Sequence, residues 1–164
     1  MLAAAVGAVP ADPALADEGN GLMTLIRTDR TMPDTGDPIW ELQLAIPGQK
    51  LRRYRALVGK AGRQNADRHE LGSRAPLPVG TYSVSEIEPM RPEDPWELGR
   101  FIWIGLEPTF TTNRKALGIH HDPSAGRGRR SGTLGCIGLI HGNDLLVLGD
   151  LIRRHGTRTL IVKD

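Results

Sequence analysis

The chain has 164 residues, 39% hydrophobic and 24% charged, a balance that suits one soluble globular domain with a sizeable core and argues against two. A net charge of +2 and an aromatic content of 4% argue against a nucleic-acid partner, which needs clustered cations and stacking platforms. One cysteine excludes an internal disulfide, and no apolar run approaches the roughly 18 residues of a membrane-spanning helix, so stable membrane insertion is not expected.

Residues 1–20 read as a disordered leader or a remnant signal segment. They are rich in Ala and reach small residues near Leu15-Ala16, but lack a basic start and are interrupted by Pro10 and Pro13. The folded unit is expected over 21–164. Residues 22–28 read as a strand, and 39–46 alternate apolar and polar residues with the period of a half-buried strand. Pro47-Gly48-Gln49-Lys50 is a turn, which makes 51–58 the second arm of a hairpin.

From Gly59 to Pro78 the chain is polar and basic, with Lys60, Arg63, Arg68, His69 and Arg74; it reads as a surface loop, either a solvated connection or the wall of a groove for an acidic substrate. Strands follow at 81–87, at 101–106 (a continuous apolar run expected to be buried on both faces) and at 133–139, with a proline-rich excursion at 89–95. Leu145, Leu146, Leu148, Leu151 and Ile152 recur at helical spacing. They predict one amphipathic helix over 143–155, capped by Asn143 or Asp144 and ended by Gly156, before a last strand at 159–162. The sum is a mainly β fold, a sandwich or barrel, with one helix in its C-terminal half.

The chemistry gathers late in the chain. Gly118-Ile119-His120-His121 is followed, after a loop rich in Gly, Ser and Arg, by Gly132-Thr133-Leu134-Gly135-Cys136-Ile137-Gly138. A thiol attacks as thiolate, and at an ordinary pKa of roughly 8.5 only a few per cent is ionised at neutral pH, so a nearby histidine would have to remove the proton. A tetrahedral oxyanion would need backbone N–H donors beside the sulfur, and glycines let the backbone come close to a ligand. The competing reading is a small buried cysteine with no chemistry.

These residues resemble the signature of the L,D-transpeptidase family, cysteine enzymes that cross-link or trim bacterial peptidoglycan. Its Ile-His-Gly segment is matched by Ile119-His120, its Ser/Thr-His-Gly-Cys-Ile-Arg segment by Thr133, Gly135, Cys136 and Ile137, and its Pro-x-Gly-x-Tyr strand start by residues 76–82. The resemblance implies Cys136 as nucleophile, His120 as general base, the His121 carbonyl as the group that orients it, and the N–H groups of Gly135 and Cys136 as oxyanion donors. Arg114, Thr133 and Arg130 would contact substrate. Two departures mark a divergent branch: Leu134 stands where the family has a second histidine, and Gly138 where it has an arginine.

The partner implied is a peptidoglycan stem peptide, met in the periplasm or the cell wall. The activities implied are 3→3 cross-linking or D-amino-acid exchange, with a carboxypeptidase or endopeptidase as the alternative and a non-catalytic wall-binding domain as the rival from another class. A low thiol pKa would favour an activated nucleophile over the binding domain.

The loop from His121 to Gly132, with Arg127, Arg129 and Arg130, reads either as a lid that binds carboxylates or as a flexible excursion. Adjacent histidines rarely turn both rings to one ion and no CxxC or HxxxH spacing exists, so no metal is expected; no phosphate-binding glycine loop implies a cofactor. Trp40, Trp96 and Trp103 read as core or groove-wall residues, with Trp96 placed to line a groove.

Overall fold

The computed structural model describes residues 18–164, so the expected leader lies almost entirely outside the described residues. The strands are β1 (Leu22–Thr31), β2 (Pro38–Ala45), β3 (Arg52–Lys60), β4 (Gly80–Pro89), β5 (Ile102–Pro108), β6 (Leu117–His121), β7 (Gly132–Leu139) and β8 (Thr159–Val162), with one helix, α1 (Gly142–His155), between the last two. They close a barrel in the order β1-β2-β3-β7-β6-β5-β4-β8. Among the described residues, the mainly β architecture with one α-helix agrees with the alternation read from the sequence.

Closure follows from the alternation itself. Met23 and Leu25 of β1, Trp40, Leu42 and Leu44 of β2, Ile104 and Leu106 of β5, Ile119 of β6 and Ile137 and Leu139 of β7 all point inward and join one buried cluster. A sheet apolar on one face hides that face by curling onto itself, which also removes its exposed edges. Two joints are parallel, β1 with β8 and β6 with β7; the other ladders are antiparallel.

Three expectations need correction. The residue preceding α1 is His141, without a side-chain cap; Asn143 and Asp144 already belong to the first turn, where the Asp144 N–H donates to the His141 carbonyl (3.1 Å) and its carboxylate faces the positive end of the helix dipole. Leu145, Leu148, Leu151 and Ile152 are buried, but Leu146 is exposed together with Val147. β5 is not buried on both faces: Ile102, Ile104 and Leu106 face the core, whereas Trp103 is half-buried on the outside. Its neighbour there is Gly118 of β6, where a Cβ would come within 2.4 Å of the Trp103 ring.

No helix among the described residues is long and apolar enough to cross a membrane.

Candidate active site

The same alternation that fills the barrel turns the chemistry outward. With Ile119 opposite Ile137 and His120 opposite Gly138 on the parallel β6/β7 joint, Gly118 falls opposite Cys136. Cys136 and His120 therefore project from one face as diagonal neighbours, the relation that lets long side chains interact across a sheet. They sit on the outside of the barrel and are nevertheless covered, Cys136 at 7% exposure and His120 at 1%. Trp103, which lies over Gly118, stacks on the His120 ring with centroids 6.1 Å apart and planes 13° apart.

His120 Nδ1 lies 2.7 Å from the backbone oxygen of His121. A carbonyl only accepts, so Nδ1 is the nitrogen that carries hydrogen, and in the neutral ring Nε2 keeps its lone pair. Burial pushes the His120 pKa down, more strongly than the hydrogen bond to His121 and the nearby Asp122 push it up, so the imidazole stays neutral into mild acid. His121 itself is half-buried, its ring edge-on to Phe101 at 5.3 Å. The adjacent rings thus have different neighbours, Trp103 for one and Phe101 for the other.

The thiol rests elsewhere. Its hydrogen bond goes to the Ala116 carbonyl at 3.5 Å. Burial pushes its pKa up to about 11, against the smaller opposing effects of a Gly118 backbone hydrogen bond and the Arg114 guanidinium. Burial therefore disfavours both charged partners, and the resting pair is neutral thiol beside neutral imidazole. Alkylation of Cys136 by a small thiol reagent is expected to rise about tenfold per pH unit from neutrality to near 11, with no plateau in the range of an ordinary thiol. Initial rates of iodoacetamide labelling between pH 6 and pH 11 check this directly.

Arg114, expected to contact substrate, is buried at 5% exposure. Its guanidinium donates to the backbone oxygens of Arg68 (3.0 Å), Ala75 (3.2 Å) and Pro76 (3.4 Å). A buried cation held by carbonyls alone keeps its positive field beside the nucleophile. Gly135 makes room for it: its φ is +130°, and a Cβ there would stand 1.6 Å from Arg114 Nη2.

Thr133 is buried beneath the nucleophile. Its hydroxyl donates to the Cys136 carbonyl (2.6 Å) and accepts from the N–H groups of Gly59 (3.0 Å) and Gly135 (3.2 Å). The Gly135 N–H is thus engaged within β7 itself. The partner is a bulge: the β3/β7 register shifts between Val58 and Lys60, where Gly59 has φ +77°, and bulges of this kind re-aim the residues opposite them.

Gly138, which stands in place of the family's arginine, has no room for a side chain, because a Cβ would meet Thr133 at 2.6 Å and Asp122 at 2.7 Å.

The long segment between His121 and Gly132 is required by topology, since parallel neighbours need a crossover of about a dozen residues. Asp122, 2% exposed, staples its base: one carboxylate oxygen accepts from the Ser124 N–H (2.9 Å) and hydroxyl (2.5 Å), the other from the Gly132 N–H (3.1 Å). Further out, Asp34 accepts from the Gly128 N–H (2.6 Å), and Lys60 Nζ donates to the Arg130 carbonyl (2.8 Å). Arg130 has its side chain exposed and does not line the depression at Cys136. Asp122→Ala leaves buried donors without an acceptor and is expected to cost about 2–4 kcal/mol, read as a lower urea midpoint, with new proteolytic cleavage at 125–130.

A depression of about 430 Å³ opens over Cys136, walled by Leu71, Leu98, Trp103, Ala116, Leu117 and Leu134, with Glu97 and Lys115 as its charged residues besides the buried Arg114. Leu134, in place of the family's second histidine, is 55% exposed and Leu71 is 61% exposed. Leu71 was not legible as a site residue within its basic loop; a large apolar side chain among charges was the only signal. Most of that loop builds the scaffold: its Ala75 and Pro76 carbonyls hold Arg114, and Arg68 turns inward to the Leu77 carbonyl (2.7 Å).

Among the described residues, no group of three or more His, Cys, Asp or Glu side chains is placed to hold a metal ion. No curated protein matches the chain. A family model, the L,D-transpeptidase catalytic domain (YkuD), matches residues 41–161, which include the Thr133 bulge partner, the outward-facing Cys136 and His120, and every strand except β1, β8 and the first residues of β2 in full. The chain belongs to the L,D-transpeptidase catalytic domain family.

Proposed function

We propose that this domain is a peptidoglycan-active cysteine acyltransferase working through a thioester on the stem peptide. The observation that carries the reading is the His120 Nδ1 bond to the His121 carbonyl, which leaves Nε2 as a base on the face that bears Cys136. Rotation about the Cys136 Cα–Cβ bond takes Sγ from the Ala116 carbonyl toward Nε2. The thiol proton passes to Nε2 as sulfur attacks the carbonyl between the diamino acid and the terminal D-Ala.

The oxyanion is stabilised by the Cys136 N–H and by the field of Arg114, because the Gly135 N–H is already engaged by Thr133. Collapse of the intermediate breaks the C–N bond, and the departing D-Ala amine takes its proton from the His120 imidazolium. Attack by a second amine on the thioester gives a 3→3 cross-link or an exchanged D-amino acid; attack by water gives a tripeptide. The apolar walls at Leu98, Trp103 and Leu134 support transfer to an amine, because they exclude water from the thioester. A peptidoglycan substrate places the site of action outside the cytoplasm, in the periplasm or the wall.

A second reading, a wall-binding domain without catalysis, draws on one observation: the resting thiol is neutral and bonded to Ala116 rather than to His120. Incubation with a disaccharide tetrapeptide and excess free D-amino acid, followed by mass spectrometry, separates the readings. Exchange of the terminal D-Ala that disappears in Cys136→Ala is the expected result. Tripeptide alone would make the domain a hydrolase, and no product would leave the binding domain.

A further inference from the structure

The excursion between β4 and β5 carries a feature that acyl transfer at Cys136 does not use. Residues 90–101 form a loop closed at its neck, where the Met90 N–H donates to the Phe101 carbonyl (3.0 Å). Inside it, a 3-10 turn at Trp96–Leu98 is fixed by the bonds Leu98 N–H to Pro95 (3.1 Å) and Gly99 N–H to Trp96 (3.0 Å). A loop held in this way presents its side chains at defined positions.

What it presents is a tryptophan in the open. Trp96 is 51% exposed, although an indole is the costliest side chain to leave in water. The Arg127 guanidinium lies 5.4 Å from the ring centroid and steadies it from the crossover loop. The remaining indole surface faces a second depression of about 430 Å³, whose other walls include Arg91, Asp94, Gly99 and Arg100. Arg127 is not one of those walls, so the guanidinium does not fill the space.

The two depressions belong together. Pro95, Glu97 and Leu98 wall the one over Cys136, and Trp96 and Gly99 wall the other, so one short segment serves both. A smaller depression of about 250 Å³ shares Leu98 and Trp103 with the first and Met90, Arg91 and Asp94 with the second. A chain of hollows thus follows the excursion from the thiol to the indole. Gly99, at φ +72°, is backed by His121, whose Cβ would stand 3.0 Å from a Cβ at that position.

An exposed indole face ringed by planar hydrogen-bonding side chains suits a pyranose. The C–H bonds of a sugar's flat face pack on the ring, and guanidinium and carboxylate groups satisfy the hydroxyls and acetamido groups at its rim. A purely apolar ligand would cover the Arg91 and Arg100 guanidinium groups without offering them acceptors, whereas Asp94 already accepts from the Arg91 backbone N–H (2.7 Å).

We infer that the hollow at Trp96 is a sugar subsite that holds an N-acetylated ring of the glycan strand while the attached stem peptide runs along the excursion to Cys136. The assignment rests on the reading that the domain acts on peptidoglycan. It makes Trp96 a residue that binds the part of the substrate remote from the reacting bond.

The test uses the full chain carrying Cys136→Ala and the peptide-free disaccharide N-acetylglucosaminyl-N-acetylmuramic acid, followed by amide NMR shifts. Saturable shifts confined to residues 90–100 and the neighbourhood of Arg127 are expected. Adding Trp96→Ala weakens binding at least about tenfold, and Trp96→Phe, which keeps an aromatic face, holds it within roughly threefold of the parent. Absence of saturation up to about 10 mM, shifts centred elsewhere, or unchanged binding in Trp96→Ala would overturn the assignment. Stem-peptide turnover is measured separately on the chain with Cys136 intact, so loss of turnover with disaccharide binding retained counts against the acyltransferase reading and not against the sugar subsite.

Discussion

His120→Asn is expected to lower stem-peptide turnover by about 10²–10⁴-fold while the fold survives. An asparagine amide places an N–H close to where Nδ1 now donates to the His121 carbonyl, so the buried acceptor keeps its partner, yet no base remains to take the thiol proton. Cys136→Ala removes the nucleophile and is expected to cost more, about 10⁵–10⁶-fold. The combination should be no slower than Cys136→Ala alone, because a base without a nucleophile has nothing to deprotonate and the two act as a unit. Steady-state release of D-Ala by the three variants checks this. Additive losses would mean that His120 contributes something other than proton transfer from Cys136.

Gly135→Ala is expected to destabilise the protein by about 3–5 kcal/mol and to abolish turnover. The φ of +130° is one that residues with a Cβ rarely adopt, and the added methyl would overlap Arg114 Nη2. The guanidinium has no easy retreat: it is buried and held by three backbone oxygens. Displacing it leaves a buried charge short of partners. Two costs are therefore combined, and they separate in a second background. In Arg114→Met, a flexible side chain replaces the rigid fork, so Gly135→Ala should cost at least about 1 kcal/mol less than in the native chain, the backbone strain remaining. Urea unfolding of the four proteins measures that coupling. Equal costs in both backgrounds would show that the contact with Arg114 is not what makes glycine necessary.

Sequence patterning reached much of this structure, because a barrel is made of local alternation. The runs at 39–46, 101–106 and 133–139 correspond to β2, β5 and β7, and the three-and-four spacing of Leu145, Leu148, Leu151 and Ile152 to α1. The segment 133–139 placed Cys136 on a strand; that His120 stands on the neighbouring strand β6, and that the parallel β6/β7 joint puts the two on one face, comes from the fold.

What escaped the reading depends on partners far away in the chain. The closure of β1 on β8 pairs the two ends of the described residues, and neither it nor the parallel sense of the β6/β7 joint is encoded by a local period. Arg68 read as a cation of a surface loop and Arg114 as a contact for substrate, but backbone carbonyls made available by the 59–79 segment draw both inward. Asp122 lies in the loop rich in Gly, Ser and Arg, and the fold brings the Gly132 N–H to its carboxylate.

The neutral resting thiol was hidden for the same reason, since its raised pKa comes from burial under residues distant in sequence. Leu134 and Gly138 read as losses from a motif. In the fold, Leu134 walls the depression over Cys136, and Gly138 leaves the space that Asp122 and Thr133 occupy.

The central claim is that Cys136 is acylated by the stem peptide with loss of D-Ala. Intact-protein mass spectrometry after brief mixing with a disaccharide tetrapeptide, quenched in acid, tests it most directly. The account predicts an adduct equal in mass to the disaccharide tripeptide acyl group, located on the peptide that contains Cys136 and missing from Cys136→Ala. An adduct that persists in Cys136→Ala, or substrate consumed by the native chain with no adduct at any mixing time, would contradict it.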